Sequence, residues 1–175
     1  MYLGIAVIII MVGVIVFLSI SFWITIFGGG PFVPTPMEAA EKVVKAANIK
    51  KGQKVYDIGA GDGRFVHLAE KKYGAKAVGF ERDPFVYFIA KFRQFFWGWK
   101  GEIKRANLFA QNYKDADVIL CYMIPKTLAK CTEKFKKELK KGAKIVSYTF
   151  SVEGLKPTKT IPKEGKIGKI LIYEM

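Results

Sequence analysis

The chain has 175 residues, of which 51% are hydrophobic, and its 29 Lys+Arg against 15 Asp+Glu give a net charge of +14. This length and apolar content fit one folded domain with an appendage and exclude two ordinary domains. Two cysteines and one histidine offer no metal-ligand spacing and suggest a reducing compartment, and no stretch resembles a nucleic-acid-binding motif.

The appendage comes first. No charged residue occurs from Met1 to Met37, and Leu3 to Phe27 is almost wholly apolar, whereas about 20 such residues suffice to cross a bilayer as a helix. A secretory signal peptide is the competing reading, but there is no basic residue ahead of the apolar run and "SISFWITIF" is a poor cleavage site. Residues 1–27 are therefore expected to form a transmembrane anchor, with Tyr2 at one end and Phe22, Trp23 and Phe27 at the other, where aromatic rings favour the headgroup layer. Every charged residue follows the anchor. The basic excess places the folded part on the cytoplasmic side of a single-pass chain and draws it to anionic membrane surfaces.

"GGGPFVPTP", residues 28–36, reads as a linker, leaving 37–175 as the folded domain. Thr35 as N-cap, Pro36 at the first helical position and Glu38 in a capping box open the first helix. Apolar runs "KVYDIG", "AKAVGFE", "DVILCYM" and "AKIVSYTF", with the shorter "GEIKRANLF", then alternate with segments of helical period. The tail "KPTKTIPKEGKIGKILIYEM" reads as two strands joined by a turn. The expected fold is α/β and Rossmann-like, with a seven-stranded, mostly parallel sheet, an antiparallel C-terminal edge and one transmembrane helix in front. In "PFVYFIAKFRQFFWGW", Phe85, Phe88, Ile89, Phe92, Phe96 and Trp99 share a face that is expected to pack in the core, with Tyr87, Lys91 and Gln94 opposite. Phe95, Phe96 and Trp97, near Arg93 and Lys100, leave open a contact of this helix end with the membrane interface. His67 is read as a packing residue, and "KFKKELKK" as a solvated helix face.

"VYDIGAGDGR", Val55 to Arg64, sits where the first strand passes into a helix. In such sheets backbone N–H groups and the positive helix end converge there on a ligand. Its glycines, Gly59, Gly61 and Gly63, follow G-x-G-x-G rather than the dinucleotide G-x-G-x-x-G. Asp57 ahead of them is wrong for a pyrophosphate and suits an ammonium group. Glu81, ending the next strand, suits both hydroxyls of a ribose, and Asn107, after the third, suits an adenine edge. A ribose, an adenine and an amino acid without phosphate describe S-adenosylmethionine.

On these residues the chain resembles the seven-β-strand class I methyltransferases. Within them it is similar to the small membrane-anchored protein lysine methyltransferases that act on the ATP synthase c subunit and the adenine nucleotide translocase. The likeness runs through "PFVPTP", "DIGAGDGR", "AVGFERDP", "ANLF" and "YMIP". It implies that Pro34 and Thr35 lie over the cofactor or the substrate lysine entry, and it departs at Asn107, where many relatives carry Asp.

Methyl transfer from a sulfonium needs alignment and a dry site, since the leaving group departs neutral. The fourth strand aims "CYMIP" at the methyl position: Tyr122 would orient the amine or merely pack, and Met123, Ile124 and Pro125 would line the channel. The expected activity is S-adenosylmethionine-dependent N-methylation of lysine in a membrane protein, with no nucleic-acid partner. Two alternatives stay open: methylation of a phospholipid headgroup, and a cofactor-binding scaffold without turnover.

Overall fold

The computed structural model describes residues 2–28 and 32–175. Helix α1, Tyr2–Gly28, is a single apolar rod, and its Tyr2–Ile20 stretch, of mean hydropathy 3.1, is long and apolar enough to cross a membrane. Phe22 and Trp23 are exposed near its end, their rings 6.1 Å apart. The Phe27 side chain and the linker residues 29–31 lie outside the described residues.

Helix α2 spans Met37–Ala46 and begins one residue later than the expected capping box. Its cap position is Pro36, held extended at ψ 140, and no side chain caps it; Pro36 instead supplies the carbonyl that accepts from Ala40 N–H at 2.9 Å. Thr35, freed from capping, is turned inward and buried.

The remaining elements alternate: β1 (Lys54–Ile58), α3 (Arg64–Tyr73), β2 (Lys76–Glu81), α4 (Pro84–Trp97), β3 (Glu102–Arg105), a 3₁₀ turn (Leu108–Ala110), β4 (Val118–Cys121), α5 (Pro125–Glu138), β5 (Lys144–Tyr148), β6 (Lys159–Ile161) and β7 (Ile170–Glu174). The sheet order is β3-β2-β1-β4-β5-β7-β6. β1 to β5 are parallel and β7 runs antiparallel to β5 and β6. The central strands are apolar throughout because helices cover both faces. One layer packs Val43 and Val44 of α2 and Phe65 and Leu68 of α3 on the sheet; the other packs Leu128, Cys131 and Phe135 of α5. Both cysteines are free and buried. The strand order reverses between β1 and β4, which opens a crevice beyond their carboxyl ends.

Helix α4 reverses the expected burial. Its inner face is Val86 and Ala90 with the half-buried Tyr87, Arg93 and Gln94, and the Gln94 amide donates to the Trp99 and Gly101 carbonyls. Phe85, Phe88, Phe92 and Phe96 point outward with Phe95. Trp99 lies beyond the helix and is the buried one, its ring 5.1 Å from that of His67. His67 thus packs between Trp97 and Trp99, and burial holds its pKa down.

Candidate active site

A cavity of about 260 Å³ occupies the crevice at the carboxyl ends of β1, β2 and β4. Four chain segments wall it: Phe32–Thr35 before α2, Gly59–Asp62 after β1, Glu81–Asp83 after β2, and Tyr122–Ile124 after β4, with Asn107 and Phe150 at its sides. Nine of the residues selected from the sequence line it: Pro34, Thr35, Gly59, Gly61, Glu81, Asn107, Tyr122, Met123 and Ile124; Pro125 does not.

The glycine loop is built for close approach. Gly59 and Gly61 stand at φ +75 and +57, where a side chain is strained. A Cβ at Gly59 would fall 2.3 Å from Met123 Sδ, and one at Gly61 would fall 2.7 Å from the Phe32 ring. Gly63, by contrast, faces away from the cavity, and a Cβ there would meet Trp99 at 3.0 Å. It serves the seating of α3 against Trp99 rather than the cavity wall.

Glu81 is fixed by the backbone. Its Oε1 accepts from the N–H groups of Arg82 and Asp83, each at 2.8 Å, and its Oε2 from Gly61 N–H at 2.9 Å. A carboxylate has about four acceptor sites, so roughly one remains toward the cavity. A second ribose hydroxyl would have to displace the Gly61 bond. Burial pushes the Glu81 carboxyl up, against the opposing pull of those three donors.

Asp57 lies beneath the loop rather than on the cavity wall. It is 1% exposed, paired in register with Gly79 of β2 and Leu120 of β4. Neither of its oxygens has a hydrogen-bond partner among the described residues. Burial, with the nearby Glu81 charge, holds its carboxyl well above the usual range. An orphaned acid under a cradle that Cβ atoms would fill, beside a fixed carboxylate, fits a ligand that carries both a positive charge and hydroxyl groups.

Asn107 caps the 3₁₀ turn, its Oδ1 accepting from Phe109 N–H at 3.1 Å. That leaves its amide nitrogen to donate, which suits a ring-nitrogen acceptor of adenine. An aspartate here would offer no such donor.

Two groups of residues escaped the sequence reading. Asp62 accepts from Arg64 Nε at 2.8 Å and pairs with Arg93, joining the glycine loop to α4. The Arg93 guanidinium in turn lies 3.9 Å from the Trp97 ring. Phe150, on the strand-end turn after β5, stacks with Tyr122 at 6.2 Å while Tyr148 meets Tyr122 edge-on at 5.0 Å. The signal for the first was an acid and two arginines flanking the glycine loop and the aromatic helix; for the second, the "SYTF" strand end.

Known proteins resemble this chain in sequence and fold. Residues 57–159 match the ANTKMT methyltransferase domain. A protein-lysine N-methyltransferase of Saccharolobus islandicus is 29% identical over 77% of this chain and 85% of its own length. The human lysine N-methyltransferase of the ATP synthase c subunit is 31% identical over 69% of this chain, which spans about half (52%) of that relative. Among solved structures, an RNA methyltransferase from Salinibacter ruber in complex with S-adenosyl-L-homocysteine superposes with a TM-score of 0.76 at 28% identity, covering 81% of this chain and 93% of that one. With its family match lying across the glycine loop, Glu81 and the aromatic strand ends, the chain belongs to the ANTKMT methyltransferase domain family.

Proposed function

We propose that this chain is an S-adenosylmethionine-dependent protein-lysine N-methyltransferase, anchored by residues 1–27 and tethered through 28–36, with its domain, 37–175, facing the cytoplasm. The observation that carries the reading is one cavity whose inner end is the glycine loop with Glu81 and whose outer wall is apolar and aromatic: Tyr122, Met123, Ile124 and Phe150. The inner end suits a nucleoside, and the outer wall suits an amine that must lose its proton.

Bound S-adenosylmethionine supplies an electrophilic methyl on a cationic sulfur. In this reading Asp57 balances the ligand's ammonium group, Glu81 accepts from ribose, Asn107 donates to adenine, and Pro34 and Thr35 close over them. A lysine amine has a reference pKa of about 10.4, and the dry wall around Tyr122 favours its neutral form. The Tyr122 ring face and hydroxyl orient the amine. With S-adenosylmethionine bound, the amine nitrogen would take the methyl as its bond to sulfur breaks, the electron pair would leave with sulfur, and the amine proton would pass to solvent. Positioning and desolvation are the enzyme's contribution, so no general base is required.

The anchor favours a membrane-protein substrate by holding the cavity near a two-dimensional pool at high effective concentration. Purified chain in vesicles, given labelled S-adenosylmethionine and membranes from its own source beside a Glu81→Ala control, tests this. The expected result is methyllysine in one protein band, lost in the control. Label confined to lipid or to nucleic acid would overturn the lysine reading, and cofactor binding without any label would favour a scaffold.

A further inference from the structure

Apart from the contact of Phe85 and Phe88 with Phe17 of α1, helix α4 leaves an aromatic face uncovered among the described residues. At about 100° per residue, Phe85, Phe88, Ile89, Phe92, Phe95 and Phe96 fall within an arc of about 120°, and Phe95 is 82% exposed. A contiguous apolar patch of this kind on a charged domain marks an interaction surface. The helix is held from behind by Val86, Ala90, Gln94 and the Arg93–Asp62 pair, so its outward aspect is fixed by the fold.

We infer that α4 lies in the membrane interface, with this phenylalanine face immersed in the acyl boundary of the same bilayer that α1 spans; the inference rests on the proposed anchoring by α1. Three observations select lipid as the occupant. The face is continuous with the span: the Phe17 ring lies 6.3 Å from Phe85 and 6.1 Å from Phe88, and Phe17 belongs to the apolar stretch Tyr2–Ile20. Phe17 lies five and six residues before Phe22 and Trp23, the rings expected at the headgroup layer, roughly 7.5–9 Å of helix rise. An interfacial helix buries its apolar face to about 5–10 Å. The start of α4 is thus brought to the depth such a helix occupies.

The second observation is charge. Arg82 before the helix, Lys91 on its flank and Lys100 after it are all exposed, as anionic headgroups beside an immersed face require. The third is the span's own surface, which meets α4 through Phe17, is otherwise exposed along the described side chains, and needs lipid in any case.

The consequence reaches the cavity. Asp83 and Val86, at the start of α4, line it from the inner side of the helix whose outer side meets lipid. Immersion of α4 fixes the height and tilt of the cavity mouth against the bilayer. A lysine just outside the headgroups of a membrane protein is then presented without a free search in solution.

The test uses the full chain in vesicles of phosphatidylcholine and phosphatidylglycerol, with an environment-sensitive fluorophore on Phe92→Cys or, on the opposite helix, on exposed Lys137→Cys. The native cysteines are buried and do not compete. The expected result is a blue-shifted emission at position 92 that is quenched by lipids spin-labelled near the headgroup, with neither effect at 137. A chain that floats with the vesicles while position 92 stays unquenched overturns the inference and leaves the anchor intact. Failure to float overturns both. Shielding at 92 without lipid quenching, together with chain-to-chain cross-linking through 92, overturns it in favour of a second copy.

Discussion

Helices α4 and α5 are both 14 residues long, both open on a proline at the first helical position, and cover opposite faces of one sheet. Their side chains are distributed in opposite ways. α5 turns Leu128, Cys131 and Phe135 into the core and its lysines outward. α4 turns Val86 and Ala90 inward and five phenylalanines outward. The difference teaches that a fold position sets which arc of a helix is covered, while the phase outside sets what the other arc carries. Against water that arc is basic. On the immersion inferred for α4, the arc against an apolar phase is aromatic.

Substitutions separate the two. Phe135 is fully buried under α5 among Tyr113 and Leu128, so Phe135→Ala is expected to cost about 3–5 kcal/mol, measured by denaturant unfolding in a mild detergent. This is the largest effect, because removing a fully buried ring leaves a cavity in the core.

α4 has little packing of that kind and is held by charge. Asp62 is buried between Arg64 and Arg93, all three side chains less than a fifth exposed. Asp62→Ala leaves two partly desolvated guanidinium groups without their acid, a loss on the order of 3 kcal/mol. Because Asp62 adjoins Gly61, cofactor affinity should fall as well, which isothermal titration would read. A stability loss without any change in binding would mean that the pair holds α4 alone.

How much of this was legible in the sequence follows from what periodicity can report. The order of the seven strands and the helices was readable, since apolar runs broken by glycine and proline constrain where a parallel sheet can lie, although α2 and α5 end well before the helical segments read for them do. The cavity residues were readable because glycine, Glu81 and Asn107 stand at strand ends, where the topology brings them together. Periodicity showed that Phe85, Phe88, Phe92 and Phe96 share a face but not which way the face points; assigning them to the core assumed water outside. Asp57 was legible as an acid on β1 ahead of the loop, but that it is buried without a hydrogen-bond partner among the described residues, and does not line the cavity, depends on the pleat. The Asp62–Arg93 pair joins elements distant in sequence, and no local pattern announces it.

The buried acids sharpen the contrast further. Asp57, Asp62 and Asp83 all lie at the loop and α4 end of the sheet, whereas the buried polar groups of α5 are Thr127 and Thr132. Asp57 has its folded pKa raised by burial, so the native state holds a proton that the unfolded state releases first. Stability is full below the unfolded value, near 4, and falls as pH rises toward the folded value, with a slope of at most about 1.4 kcal/mol per pH unit. Asp57→Asn cannot ionise and should remove that slope, gaining stability relative to the parent as pH rises. With S-adenosylmethionine present the order should reverse, since the ligand's ammonium group would favour the charged carboxylate. Melting curves across pH, with and without ligand, read both signs. An unchanged slope in Asp57→Asn would show that Asp57 is charged in the folded chain.

The smallest effect is the most discriminating between the two helices. Phe95 is the most exposed aromatic of α4, and its ring contact is with the neighbouring Phe96 at 5.3 Å. Phe95→Ser should therefore change unfolding stability by less than about 0.5 kcal/mol, although the same chemical change at Phe135 would disrupt the core. What Phe95→Ser should alter instead is depth: the fluorophore at position 92 should move toward water in vesicles, while a label at 137 on α5 is unaffected. A phenylalanine that can be lost without cost to the fold, yet with a measurable cost to immersion, has its apolar partner outside the protein. If Phe95→Ser destabilised the chain as strongly as Phe135→Ala, the face would have to be a packing surface, and the asymmetry between α4 and α5 would be one of hidden contacts rather than of two different surroundings.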